Sequence, residues 1–363
     1  MKKNNIDLLL FIAVILIGIF GVVMIYSSSS IWAEYKFNDS LKYLKSQTIF
    51  LILGIIIMIT VSKIPYTYYL KKANILLLVC FFLLILVIIP GIGTVRNGSR
   101  SWFGIGGFGI QPSEFMKLAL IIFVSKYLYK NSKYVKSIKK CIIPILLVTL
   151  VVFGLIMLQP DFGTGVIIVM SVIGLLFISG VSMKFFMVLG VFGIIGGAGL
   201  IIIAPYRFER ILSFINPWLD PLGSGFQAIQ SLFAIGPGGL LGLGLGNSIQ
   251  KQFYLPEPQT DFIFAIISEE LGFLGIVIVS TLFLIIIYRG LKISIDAKDL
   301  FSKYLSFGIT FQLAFQTLLN LMVVVGLIPI TGVTLPFLSY GGSSLLVSMA
   351  SIGIILNISR NNS

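Results

Sequence analysis

The sequence predicts an all-α, polytopic integral membrane protein, and three observations carry that prediction. Of 363 residues, 57% are hydrophobic and only 11% are charged, a balance that water-soluble domains do not have. The apolar residues gather into stretches close to the ~20 residues with which a helix crosses a bilayer. Between those stretches, Lys and Arg fall unevenly on the two sides, as the positive-inside rule requires.

Composition also excludes chemistry. There is no histidine, so His acid–base catalysis, Ser-His-Asp triads and His-ligated metal sites are ruled out. Cys80 and Cys141 stand far apart in apolar surroundings, which fits neither a disulfide framework nor a cysteine metal site. A net charge of +13 would suggest nucleic acid in a soluble protein. In a membrane chain it sets topology and attracts anionic headgroups, and no nucleic-acid partner is expected.

Taken in order, the first apolar run, 8–26, is long for a secretory leader and lacks a convincing cleavage site, so it is expected to stay as the first helix. Further runs cover 49–61, 73–89, 112–129, 141–158, 162–181, 185–204, 262–288, 304–328 and 336–358. That gives about ten helices, with both termini cytoplasmic and the lysine run Lys126 to Lys140 as an inner topology anchor. The chain is expected to be one transmembrane domain, 1–363. Its longest connection is an extracytoplasmic loop, 205–261, long enough to hold elements of its own. Phe226, Ile229 and Phe233 recur there at helical spacing beside Gln227 and Gln230, which predicts an amphipathic helix at the interface.

Candidate chemistry concentrates on the outer side. Asp261, Glu269 and Glu270 lie at and inside the start of an apolar helix with no charge from Leu271 to Tyr288. Ionisable groups at membrane depth are costly and read as functional by default. On one helix Asp261 and Glu269 would be ~12 Å apart along the axis and ~80° apart around it, within view of one cavity. The plain alternative is that Thr260 or Asp261 only caps the helix. Glu114 and Lys117, three apart after a helix-starting Pro112, form an expected ion pair inside helix four. Asp161 reads better as a cap for helix six.

The glycine-rich stretch 236–246 has no preceding strand and is not a dinucleotide fingerprint. It reads instead as a tight loop whose backbone can approach a neighbour. The Gly/Ser-rich PFLSYGGSS (336–344) reads as a closely packed helix entry or a phosphate-holding N-terminus. Arg96, Arg100, Arg207, Arg210 and Lys251 make the outer face basic around Asp261. A carboxylate among cations facing outward suits a phosphate-bearing lipid or sugar-lipid.

Six motifs occur in order: NGSRSWFGIGGFGIQPSEFMKLA, QPDFGTG, NPWLDPLGSGFQAIQS, AIGPGGLLGLGLGNS, LPEPQTDFIFAIISEELGFLG and GLIPITGVTLPFLSYGGSS. Through them the chain from Asn97 onwards resembles the SEDS family (shape, elongation, division and sporulation) of bacterial peptidoglycan polymerases. The wording is nearer the division (FtsW) and sporulation (SpoVE) members than the elongation (RodA) type. The resemblance implies a glycosyltransferase of the bacterial cytoplasmic membrane that polymerises lipid II on the outer face, with Asp261 as the catalytic residue. It implies an inverting displacement, with Arg100 and Lys117 on the leaving pyrophosphate, Arg207 and Arg210 behind them, and Glu114 orienting Lys117. Glu269 and Glu270 would line the cavity or stabilise helix eight. A divalent cation (Mg or Mn) is compatible with this chemistry, though the sequence shows no cage for one. The implied partners are a class B penicillin-binding protein, as transpeptidase, and other division or sporulation membrane proteins. A lipid II flippase is the competing reading, since intramembrane Glu114, Lys117, Glu269 and Glu270 would also suit a headgroup pathway; an elongation polymerase or a silent division scaffold stands behind it.

Overall fold

The computed structural model describes residues 6–96, 98–105, 108–203 and 205–362, with the side chains at 105, 108, 200, 203, 205–207 and 362 outside the description. Ten long helices occupy the places the apolar runs mark out: α1 (Leu8–Phe37), α2 (Lys42–Lys63), α3 (Tyr66–Ile88), α4 (Pro112–Lys130), α5 (Ile143–Met157), α6 (Phe162–Ile178), α7 (Met183–Ile203), α10 (Ile263–Ile295), α11 (Leu300–Val324) and α12 (Gly342–Asn362). Two shorter helices, α8 (Pro205–Ile215) and α9 (Phe226–Ile235), lie in the long loop, and α9 is the expected amphipathic helix. Seven helices among the described residues are long and apolar enough to cross a membrane. The fold is polytopic and helical.

Local chemistry sets the helix ends. Asp7 caps α1 by accepting from Leu10 N at 3.0 Å, and Asn38 closes it in the left-handed region at φ 56°. Asp161 caps α6 through Thr164 N. Asp299 caps α11 through Phe301 N and Ser302 N. Several boundaries differ from expectation: α1 runs on to Phe37 rather than 26, α3 starts at Tyr66 rather than 73, and α10 ends at Ile295 rather than 288. The second helix starts at Lys42 rather than 49, because its first turns carry polar Lys45, Ser46 and Gln47. The last starts at Gly342 rather than 336, because Phe337 sits at φ 65°, outside the helical region.

The connection between α3 and α4 holds the only strands among the described residues. β1 (Thr94–Arg96), β2 (Ser99–Ile105) and β3 (Phe108–Ile110) form an antiparallel meander. Ser343 Oγ donates to Gly109 O at 3.0 Å and accepts from Gln111 N at 3.2 Å, which fastens this sheet to the start of α12.

At the centre, α11 packs against α10, α6, α4 and α12, while α12 runs along α2 and α1 along α10. Small residues permit these approaches, as in other membrane bundles. A Cβ at Gly308 would lie 2.8 Å from Ile121, and one at Gly174 would lie 2.7 Å from Phe311. On the inner side, Arg289 forms a forked ion pair with Asp7, joining α10 to the start of α1. In contrast, α7 packs mainly on α8, and a Cβ at Gly190, Gly193, Gly196, Gly197 or Gly199 would meet nothing within 4 Å.

The helix α10 is broken. Gly272 stands at φ 60°, ψ −153° inside it. The break leaves carbonyls at Glu269 and Glu270 and N–H groups at Phe273 and Leu274 without helical partners. The glycine-rich loop supplies them: Leu243 N and Gly244 N donate to Glu269 O and Glu270 O, both at 2.9 Å. In return, Phe273 N and Leu274 N donate to Gly239 O at 2.9 Å and Leu240 O at 3.1 Å. The approach demands glycine on both sides, since a Cβ at Gly242 would lie 2.2 Å from Glu270 O and one at Gly272 2.4 Å from Gly242 N. The expected backbone-approach loop therefore has its neighbour within the chain.

Candidate active site

Asp261 sits in the turn just before α10, and the backbone around it is clamped from two directions. Asn320 Nδ2 on α11 donates to Asp261 O at 2.8 Å and to Val333 O at 2.7 Å. Ser339 Oγ donates to Thr260 O at 2.6 Å, and Tyr340 N to Gln259 O at 2.8 Å. The side chain is treated differently. Phe262 is the N-cap residue of α10 and no side chain caps it, so Asp261 does not serve as a cap. None of the described residues donates a hydrogen bond to its half-buried carboxylate. A Cβ at Gly332 would lie 3.7 Å from Asp261 Oδ2. Burial first, then the Glu257 carboxylate, push the Asp261 pKa up to about 7; Arg210 pulls against them and Asp161 adds to them.

Behind Asp261 stands a layer of paired charges. Asp161 caps α6 with Oδ1, 3.1 Å from Thr164 N, and accepts from Gln111 Nε2 on Oδ2 at 3.1 Å. Its carboxyl is raised chiefly by burial, and it feels both Glu114 and Lys117. The capping expected of Asp161 is present, together with a place beside Asp261 that the sequence did not assign.

Glu114 and Lys117 form the expected ion pair at 2.8 Å, almost fully buried. Lys117 Nζ also donates to Gln316 Oε1 at 2.9 Å, and Gln316 Nε2 donates to Thr334 O at 2.9 Å. A lysine has three N–H donors; two are used here. Gln316 and Asn320 thus tie the charged pair and the Asp261 turn to one helix. Their signal was in the sequence: Gln312, Gln316 and Asn320 recur every four residues in an apolar helix, all buried.

The remaining candidates fall in different places. Arg210 on α8 donates Nη1 to Ile330 O at 3.0 Å while remaining exposed. Arg207 lies in the same helix, and its side chain falls outside the described residues. Arg100 is half-buried in β2, paired with Val95. Arg96 stacks over Trp102, 5.1 Å from its ring, and influences Tyr340.

Glu269 does not share a helix face with Asp261, which precedes the helix. It accepts from Ser248 Oγ, from Ile249 N at 2.9 Å and from Gln250 N at 3.4 Å. Glu270 pairs with Lys251 Nζ at 2.9 Å and accepts from Ser27 Oγ. These two carboxylates hold the loop 246–251 onto the bundle. Among the described residues, no group of three or more His, Cys, Asp or Glu converges to hold a metal ion.

A bundle of apolar helices enclosing charged pairs, with a carboxylate at a helix mouth to which no described residue donates a hydrogen bond, defines a multi-pass membrane protein with a buried polar site. More particularly, the chain belongs to the FtsW, RodA and SpoVE family, described as cell cycle proteins, which it matches over residues 7–363. It is 51% identical to stage V sporulation protein E of Bacillus subtilis (strain 168), covering 99% of this chain and 98% of that protein. It is 39% identical to a probable peptidoglycan glycosyltransferase FtsW of Geobacter sp. (strain M18), over 99% and 98%. Among solved structures, a chain from a peptidoglycan synthase complex coordinating polymerization and crosslinking superposes with a TM-score of 0.80 at 30% identity, covering 98% of each. The rod shape determining protein RodA of Thermus thermophilus superposes at 0.73 and 27% identity, covering 98% of this chain and 97% of that one.

Proposed function

We propose that this chain is a peptidoglycan glycosyltransferase that polymerises lipid II on the outer face of the bacterial cytoplasmic membrane, serving division or sporulation. The observation that carries the reading is the Asp261 carboxylate. The chain fixes its backbone on two sides, no described residue donates a hydrogen bond to its side chain, and burial raises its pKa to about 7. A general base works best when its pKa lies near the working pH.

In the proposed step the 4-hydroxyl of the acceptor sugar attacks the anomeric carbon of the donor. The new C–O bond forms as the bond to the undecaprenyl pyrophosphate breaks, and Asp261 takes the hydroxyl proton. A single displacement converts the α-linked donor into a β-1,4 linkage, so the anomeric centre inverts. Negative charge grows on the leaving pyrophosphate, and fixed cations stabilise it. Arg210 is close enough to lower the Asp261 pKa. Lys117 offers its remaining N–H and is aimed by Glu114 and Gln316. Arg100 and Arg207 stand on the outer elements behind them. Crosslinking of the product falls to a partner, a class B penicillin-binding protein, supported by the likeness to a chain from a complex that couples the two reactions.

The test is glycan-strand formation from lipid II by the purified full chain, wild type against Asp261→Asn, with and without that partner. Polymer from the wild type alone is expected. Translocation of headgroups in liposomes without polymer would put the flippase in its place.

A further inference from the structure

The long loop and the end of α1 build a second outer feature that the reaction centre does not use. Ser30, Ile31, Glu34, Tyr35, Ser40 and Phe253 line an open cleft of about 550 Å³. Its aromatic wall is a packed trio, with Trp32 to Phe253 at 5.6 Å and Tyr35 to Phe253 at 5.3 Å between ring centroids. Phe253 holds its place at φ 66°, a conformation that costs a non-glycine residue free energy, and half of its surface stays exposed. Tyr35 is 77% exposed. Polar groups sit beside the rings, among them Glu34, which accepts from Ser40 N at 2.8 Å.

This trio is joined to the Asp261 turn. Tyr340, whose N–H is bonded to Gln259 O, packs edge-on against Tyr43 at 4.8 Å. Tyr43 in turn has Trp32 and Glu257 as neighbours, and Glu257 is the carboxylate felt by Asp261. The rings form a continuous strip from the catalytic turn to the cleft.

We propose that this strip is a saccharide track, and that the cleft holds sugars of the β-1,4-linked strand as it leaves the reaction centre. This rests on the polymerase reading above. Aromatic faces offer broad apolar area with little side-chain entropy to lose, suited to the C–H faces of pyranose rings. Glu34 and the serines supply acceptors and donors for ring hydroxyls and acetamido groups. Headgroup-level anchoring, the ordinary use of Tyr and Trp at a membrane surface, explains exposed rings but not a cleft with a carboxylate at its wall or a strip ending at Tyr340, which is bonded to Gln259 O two residues before Asp261.

The experiment uses the full chain in nanodiscs with chitohexaose, a soluble β-1,4-linked N-acetylglucosamine hexamer, as probe. Binding is followed by tryptophan fluorescence, and product length by gel after reaction with lipid II. The double variant Tyr35→Ala/Phe253→Ala should bind the probe about tenfold more weakly and make shorter strands, while Tyr68→Ala, an exposed ring on α3, changes neither. On the wild type alone, chitohexaose should protect residues 30–43 and 249–257 from hydrogen exchange, a readout that does not depend on the variant folding. Unchanged affinity and strand length, or no protection, would overturn the track and leave a membrane anchor. Tyr35-dependent binding in a wild type that makes no polymer would keep the saccharide site and remove the polymerase reading.

Discussion

At the scale of single residues, the chain spends its polar contacts unevenly: Asp161, Glu114, Glu269 and Glu270 are all partnered, while none of the described residues donates a hydrogen bond to the Asp261 carboxylate. Asp261→Asn keeps the shape and removes the base, so polymerisation should fall by about 10² to 10⁴-fold while membrane insertion continues. The raised pKa gives two further expectations. Only the carboxylate form is a base, so the initial rate should rise through pH 7 and level off above it; a flat profile from pH 5 to 9 would remove Asp261 from that role. The folded protein holds this proton to about pH 7, whereas the unfolded chain releases it near 3.8. Stability from this group is therefore complete below 3.8 and declines towards 7, so Asp261→Asn should melt higher than wild type at pH 8 and equally at low pH. Lys117→Met would strand a buried Glu114, a loss of about 3–5 kcal/mol. The double variant Glu114→Gln/Lys117→Met should recover the folded yield without activity, whereas Lys133→Met, on the inner side, should lose neither.

At the scale of elements, the broken helix matters most. The first part of α10 carries the Asp261 turn, and its register depends on the loop 238–244 filling the break at Gly272. Gly272→Ala places a Cβ against Gly242 N and Gly238 O in a left-handed conformation. It should abolish folding or activity, measured as monodisperse yield and polymerisation. Gly193→Ala in α7 meets nothing within 4 Å and should leave both unchanged; equal damage would mean that α7 packs on the bundle.

At the scale of the whole molecule, charge asymmetry and the fold make one prediction about orientation. A cysteine placed at Ser40, beside the saccharide cleft, should react with an impermeant maleimide on intact cells. One placed at Lys133 should react only after permeabilisation. Cys80 and Cys141 are buried and should contribute little background. The reverse pattern would place the site on the cytoplasmic side.

The sequence by itself determined the membrane class, the places of the ten long helices, the amphipathic α9 and the Glu114–Lys117 pair. Each is a local property: hydropathy over about 20 residues, or spacing within one turn. The end of α12 nearest the site and the full length of α2 were not legible, because Pro336, Phe337 and the polar start of α2 are placed by contacts with other segments. The tertiary structure alone decided which acids are spent and which is available. It turned Glu269 and Glu270 to the loop 246–251, brought Asp161 from a distant helix start to Asp261, and recruited Gln316 and Asn320 as its supports. Leaving a buried polar group without a partner is costly in an apolar medium, and which partner it finds depends on chain segments far apart in sequence, so the pairing of these acids belongs to the fold rather than to any one motif.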